Sequence, residues 1–440
     1  MRKTQGILPA RSVRQANIQD LPKDFPSGVK ILKSQYILTY VESIENIDSG
    51  PISAQEVVDS WVIDNGIIRV EAVLEGGSLV SIKKDGNEYL WQNVEGGTYY
   101  GANSNAFPLT RGLILHGGIR VAAVTAEHGL YYDTDWDIAF DADSTGSTIN
   151  LSIKDSQENR ELLADRLSQG LFCDEGSNMP MSKYPITEAT YTFTVSLRPG
   201  EDFVRIKASL FNPKEEAVKA EIWLPQTYPV NKDSQVISHQ KKRRCKDIWV
   251  YQEMLKENYL AQDMSLDPDR NLPAYKGKSG VVVGLPSTPI AYTNANLDKP
   301  LDWPTPVGAI LYDYPHQDGS YHAVSFGDGR GAAYVSVSDE GSHHYIKMWS
   351  WGDPALFDRQ EALKKNPPLA AGRPKTEYYE PWASAFNTAF FELNQFPHGE
   401  HSWEAAILPI ESGLEKGLDR NELIECVDEK VNPVVEKLNS

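Results

Sequence analysis

Residues 61–93 read WVIDNGIIRVEAVLEGGSLVSIKKDGNEYLWQN, and this stretch decides the fold class. Short runs of alternating apolar and polar residues are separated by Asn65-Gly66, Gly76-Gly77 and Asp85-Gly86. A period of two puts the apolar side chains of a strand on one face. The glycine-containing pairs supply the positive φ that tight hairpin turns need. The stretch reads as a β-meander.

The same alternation returns at STINLSIKD (147–155), KAEIWLPQTYPV (219–230), GAAYVSVSD (331–339), HHYIKMWSWG (343–352), TAFFELNQF (388–396) and SWEAAILPI (402–410). In ATYTFTVSLRPGEDFVRIKASLFNP (189–213) the turn Arg198-Pro199-Gly200 joins two alternating strands. Helical signals are few: residues 156–166 are charged and suit a surface helix or a loop, and 414–438 carry a helical period that closes the chain. Residues 263–278 and 354–375, rich in proline and charge, read as excursions from the sheets. Many strands between Gly and Pro turns, with hardly any strand–helix alternation, point to an all-β fold: one large antiparallel β-sandwich with few helices. The first fifty residues are polar and broken by Pro9, Pro22 and Pro26. The expected organisation is an extended N-terminal arm over 1–55, the sandwich over 56–412 and a C-terminal helix over 413–440 packed on it.

The chain has 440 residues, 40% of them hydrophobic and 10% aromatic, which is enough to bury a sizeable core. Its net charge of −18 opposes nucleic-acid phosphates and anionic membrane surfaces, so neither is an expected partner. No apolar run reaches the roughly 18 residues of a membrane helix. MRKTQGILPARS at the start has no apolar stretch behind its basic residues. The expected location is cytoplasmic, or periplasmic or secreted if a leader was removed. Cys173, Cys245 and Cys426 are far apart and odd in number, and are expected as free thiols.

Several side chains carry possible chemistry. Glu380 stands among Tyr378, Tyr379, Pro381 and Trp382; a carboxylate desolvated by aromatic rings gains basicity and suits proton abstraction. The bland alternative is an exposed glutamate at a strand end. His116 precedes Gly117-Gly118, which let backbone approach a ligand closely, although a lone histidine is commonly structural. His343 and His344 adjoin on a strand and point to opposite faces, so they do not form a metal pair, and no metal or cofactor is expected. The run 239–244, His239 followed by GlnLysLysArgArg, is either a solvated loop or a cationic rim that reads a carboxylated or sulfated sugar. Trp349 and Trp351 share one strand face, as core residues or as flat surfaces for a pyranose; Trp382, beside Glu380, is better placed for stacking.

In their order along the chain, the 61–93 meander, LHGG at 115–118, Trp136-Asp137-Ile138, the strand pair ending in SLFNP, and the segment EYYEPWASAFNTAFFELNQFPHGEHSWEAAI at 377–407 resemble galactose mutarotase-like (aldose epimerase) proteins. The resemblance implies a β-supersandwich of galactose mutarotase-like type whose concave face holds a carbohydrate, neutral or anionic. It implies Glu380 as general base on the anomeric hydroxyl, with His116 and Arg111 holding the sugar. In EIWLPQTYPVN (221–231), where the family has its acid histidine, this chain has Gln226, followed by Thr227 and Tyr228. Glutamine donates a hydrogen bond but cannot deliver a proton. Gln226, Tyr228, His239, Trp349 and Trp382 are the further substrate-binding candidates. The expected function is a carbohydrate-active enzyme acting on a sugar or oligosaccharide, an aldose epimerase-like isomerase or a carbohydrate lyase. Two alternatives stand beside it: a polysaccharide or oligosaccharide lyase acting on uronates, and a sugar-binding protein that kept the cleft without the chemistry.

Overall fold

The computed structural model describes residues 6–7, 14–46, 50–92, 117–124, 130–131, 134–162, 185–229, 235–239, 248–249, 275–276, 280–284, 307–313, 321–337, 344–351, 383–415, 418 and 420–439. Among these, two sheets of 13 and 10 strands dominate. The first sheet runs, from one edge inward, through Lys30–Asn46, Gly50–Asp64, Ile68–Val73, Ser78–Lys84, Ile119–Arg120, Val218–Pro229, Ala383–Phe396 and His344–Trp351. The second passes through Gln235–His239, Tyr321–Ser325, Gly329–Val337, Gly399–Leu414, Val204–Asn212, Thr190–Leu197, Ser147–Lys154 and Asp137–Ala142. The ladders between these neighbours are antiparallel. The architecture is the two-sheet all-β sandwich that the alternation predicts.

The core lies between the sheets. Trp61 of the first packs on Phe140 of the second with ring centroids 6.2 Å apart, and Tyr89 meets Phe326 at 6.0 Å. Ile149, Leu151 and Ile153 point into this layer while Thr148, Asn150 and Ser152 point out, as the period of two requires. A second apolar cluster lies on the far side of the second sheet. There the helix Arg420–Leu438 buries Leu423, Ile424, Val427, Val431 and Val434 against Phe203, Tyr321, Val335 and Leu408. Their spacing is the i, i+4 stripe of an amphipathic helix. Leu414 ends the preceding strand, so the helix starts six residues later than the sequence pattern suggests. The charged 156–166 stretch contains the short helix Gln157–Leu162.

The expected arm divides in two. Residues 14–29 do lie along the body. Gln19 N donates to Ile138 O (3.0 Å), Ile138 N donates to Asn17 O (2.9 Å), and Arg14 forms a two-pronged pair with Asp137 (2.7 and 2.8 Å). They occupy the outer edge of Asp137–Ala142, a position that blocks further strand pairing. Residues 30–46, by contrast, are a 17-residue strand paired with Gly50–Asp64 in the first sheet. Adjacent apolar residues, Ile31-Leu32 and Tyr36-Ile37-Leu38, hide its period in the sequence.

Candidate functional site

The centre of the first sheet brings distant chain segments together. Ile119 pairs with Gln226, and Gln226 pairs with Phe386. One row further, Thr227 N donates to Gly118 O (2.9 Å) while Thr227 pairs with Ala385. Ala383 pairs with both Pro229 and Trp351, and Ala385 with Trp349. Gly117 and Ala383, the first described residues of their segments, therefore lie at the same end of the sheet. They are separated there by two strand spacings, about 10 Å.

Gly117 and Gly118 make this crossing possible. Both have positive φ, 67° and 82°. A Cβ on Gly117 would lie 2.0 Å from the Trp91 carbonyl oxygen, and one on Gly118 would lie 2.2 Å from that of Leu79. Gly118 N donates to Trp91 O (3.2 Å), and Trp91 N donates to Thr227 O (2.9 Å). The close approach that the glycine pair permits is thus to neighbouring backbone. Trp91, inserted between the two strands, is the residue that needs it.

The strand Val218–Pro229 sends Ile222, Leu224 and Tyr228 into the intersheet core. Gln226 has the same parity, is fully buried, and accepts a 2.7 Å hydrogen bond on Oε1 from the Tyr228 hydroxyl. Burial, and then the nearness of Tyr334 on the second sheet, pushes the Tyr228 hydroxyl pKa far above its ordinary value. Thr227, between the two, projects to the opposite, outer face of the first sheet.

That outer face carries polar side chains beside the buried Val62 and Val73. Ser60 donates to Glu71 (2.6 Å) and Ser81 to Glu88 (2.6 Å). The second Glu88 oxygen accepts from the N–H groups of Ile82, Tyr89 and Leu90. Burial raises the Glu88 carboxyl above the ordinary range despite these donors. Burial also raises the Tyr36 hydroxyl, helped by the charges of Glu88 and Glu71. Ser78 and Arg120 form a cross-strand pair, and their neighbours Leu79 and Ile119 are core residues, so both project outward.

Of the residues singled out in the sequence, Arg111, His116, Glu380 and Trp382 lie outside the described residues. Trp349 occupies a strand position beside Ala385 at the crossing. His239 ends a strand of the second sheet, paired with Tyr321 and Gly280, and so does not share the sheet of the others. Gln226 and Tyr228 sit at the crossing with side chains turned inward. Parity counted from Ile222 and Leu224 is the signal that gives their direction and singles out Thr227. Trp91 and Ser78 carry no such local signal. Cys426 is a partly buried free thiol; Cys173 and Cys245 lie outside the described residues. Among the described residues no three His, Cys, Asp or Glu side chains gather as metal ligands.

No protein-family model matches the chain, and no curated protein matches it. Among solved structures it is similar to a galactose mutarotase-like protein from Lactobacillus casei. The identity is 10%, over 80% of this chain and 99% of that one, with a TM-score of 0.47. A galactose mutarotase related enzyme from Lactobacillus acidophilus is 10% identical over 82% and 100%, with a TM-score of 0.45. A TPR-domain containing protein from Parabacteroides distasonis is 11% identical over 90% of this chain, with a TM-score of 0.49; the chain spans 57% of its length. Galactose mutarotase-like proteins, which the sequence motifs resemble, are thus among the structures similar to this divergent chain.

Proposed function

We propose that the chain is a sugar-acting enzyme of aldose epimerase type, with its carbohydrate bound on the outer face of the first sheet. One observation supports the reading: the register that sets Gly118, Thr227 and Ala385 side by side in the first sheet, each a few residues in sequence from a candidate site residue. In this reading Glu380 takes the anomeric proton, and His116 and Arg111 hold the ring hydroxyls, with Trp382 and Trp349 offering apolar surface to the sugar. A carboxylate among aromatic side chains has the raised basicity that proton abstraction from a hydroxyl requires. Gln226 cannot return a proton to the ring oxygen, and the Thr227 hydroxyl is too weak an acid to do so. The donor opposite Glu380 is therefore supplied by another segment. His239, the described residue of the 239–244 run that could contribute to the lyase alternative, belongs to the second sheet.

The test is polarimetry on a panel of freshly dissolved aldoses, run beside ultraviolet absorbance on uronate oligosaccharides. Accelerated anomer interconversion of at least one aldose is expected. Unsaturated products without mutarotation would replace this reading with the lyase, and binding without turnover would replace it with the sugar-binding protein.

A further inference from the structure

Two buried donors near the centre of the first sheet have no hydrogen-bond partner among the described residues: the indole Nε1 of Trp91 and the hydroxyl of Ser78. Trp91 is 3% exposed and Ser78 fully buried, and neither belongs to an apolar cluster. Leaving a buried donor unmade costs about 1–3 kcal/mol, and native chains keep few of them. Both stand at the crossing. The Trp91 ring lies where a Cβ on Gly117 would come within 2.8 Å of it, next to the chain position of His116. Its main chain bonds both Gly118 and Thr227. Ser78, paired with Arg120, projects from the outer face. The Thr227 hydroxyl makes no hydrogen bond among the described residues either.

We infer that Trp91 Nε1 and the Thr227 hydroxyl are ligand contacts, donating to ring oxygens or hydroxyls of a sugar. This rests on the sugar-acting reading above and assigns it residues that no sequence motif marks. A pyranose presents several oxygens at hydrogen-bonding spacing around an apolar CH face. Donors on and beside an indole match that chemistry, whereas a purely apolar ligand would leave them unmet.

The experiment is isothermal titration with D-galactose, D-glucose and D-glucuronate. It uses the wild type, Glu380→Gln, Trp91→Phe and Thr227→Val, each checked by thermal melting. Thr227→Val is nearly isosteric and removes only the hydroxyl, so it covers the case in which Trp91→Phe disturbs packing. The wild type and Glu380→Gln should bind at least one of these sugars alike. Trp91→Phe and Thr227→Val should bind it about five- to tenfold more weakly, with melting points near the wild type. Unchanged affinity in both variants would overturn the inference alone and assign the free donors to buried water. A wild type that binds none of the three sugars would overturn it together with the reading on which it rests.

Discussion

The Tyr228 hydroxyl donates a 2.7 Å hydrogen bond to Oε1 of Gln226 inside the intersheet core. The two side chains lie one turn of the pleat apart on the same strand and point away from the outer face of the first sheet. Their mutual bond satisfies polar groups that burial would otherwise penalise. Tyr228→Phe is therefore expected to act on stability, with a loss of about 1–3 kcal/mol in urea unfolding. Sugar affinity should stay within about twofold. A selective loss of affinity at unchanged stability would return Tyr228 to the binding surface.

Asp155 ties together the two described ends of the long connection between Ser147–Lys154 and Thr190–Leu197. Fully buried, it accepts from Arg160, from the Tyr131 hydroxyl (2.7 Å) and from the N–H and hydroxyl of Thr187 (2.8 and 2.7 Å). Burial alone would raise its carboxyl; the hydrogen bond and charge of Arg160, with the Thr187 and Tyr131 donors, outweigh it and hold the carboxyl below its ordinary value. A depressed folded pKa means the stabilisation is complete above the unfolded value, near 3.9, and is lost as pH falls through the folded one. Asp155→Asn should cost about 3–5 kcal/mol at neutral pH, because buried Arg160 loses the charge of Asp155. The gap from wild type should narrow as the pH falls through the depressed folded value. Denaturant unfolding at several pH values checks this; a pH-independent gap would contradict it.

Trp136 lies on the Gly76-Gly77 turn. A Cβ on Gly77 would come within 2.5 Å of the indole, and φ at Gly77 is +56°. The same indole donates from Nε1 to Tyr131 O (3.1 Å), so it cannot move aside without losing that bond. Gly77→Ala combines backbone strain with overpacking and is expected to lower stability by about 2–4 kcal/mol. Gly66→Ala is the control. Gly66 also has positive φ, but no atom lies within 4 Å of its missing Cβ, so it should cost less. Equal losses at the two sites would remove the Trp136 contact from the explanation.

Strands whose two faces differ were legible in the sequence. Thr190–Leu197 and Ser147–Lys154 alternate buried and part-exposed residues without a break, as their letters do. The Lys30–Asn46 strand was not legible, because Leu32 and Ile37 are exposed at 44% and 55% beside buried Ile31 and Leu38. One face of this strand leaves the core partway along, and a period-two count cannot follow such a change. The glycine pair at 117–118 was legible as unusual backbone. Its reason, the carbonyls of Trp91 and Leu79, comes from strands that only the folded chain brings near. The candidate site has the same character. Ile119, Gln226 and Phe386 share a row across gaps of more than a hundred residues, and no local pattern encodes such a meeting.

Anomer exchange by Glu380→Gln tests the account's central claim most directly. Polarimetric rates would be taken for wild type and variant on an aldose that the wild type accelerates, with affinity measured in parallel. Glutamine keeps the shape and hydrogen bonding of glutamate but accepts no proton. The account predicts a fall in kcat on the order of a hundred- to ten-thousand-fold, with sugar affinity largely retained. Full activity in Glu380→Gln would contradict it.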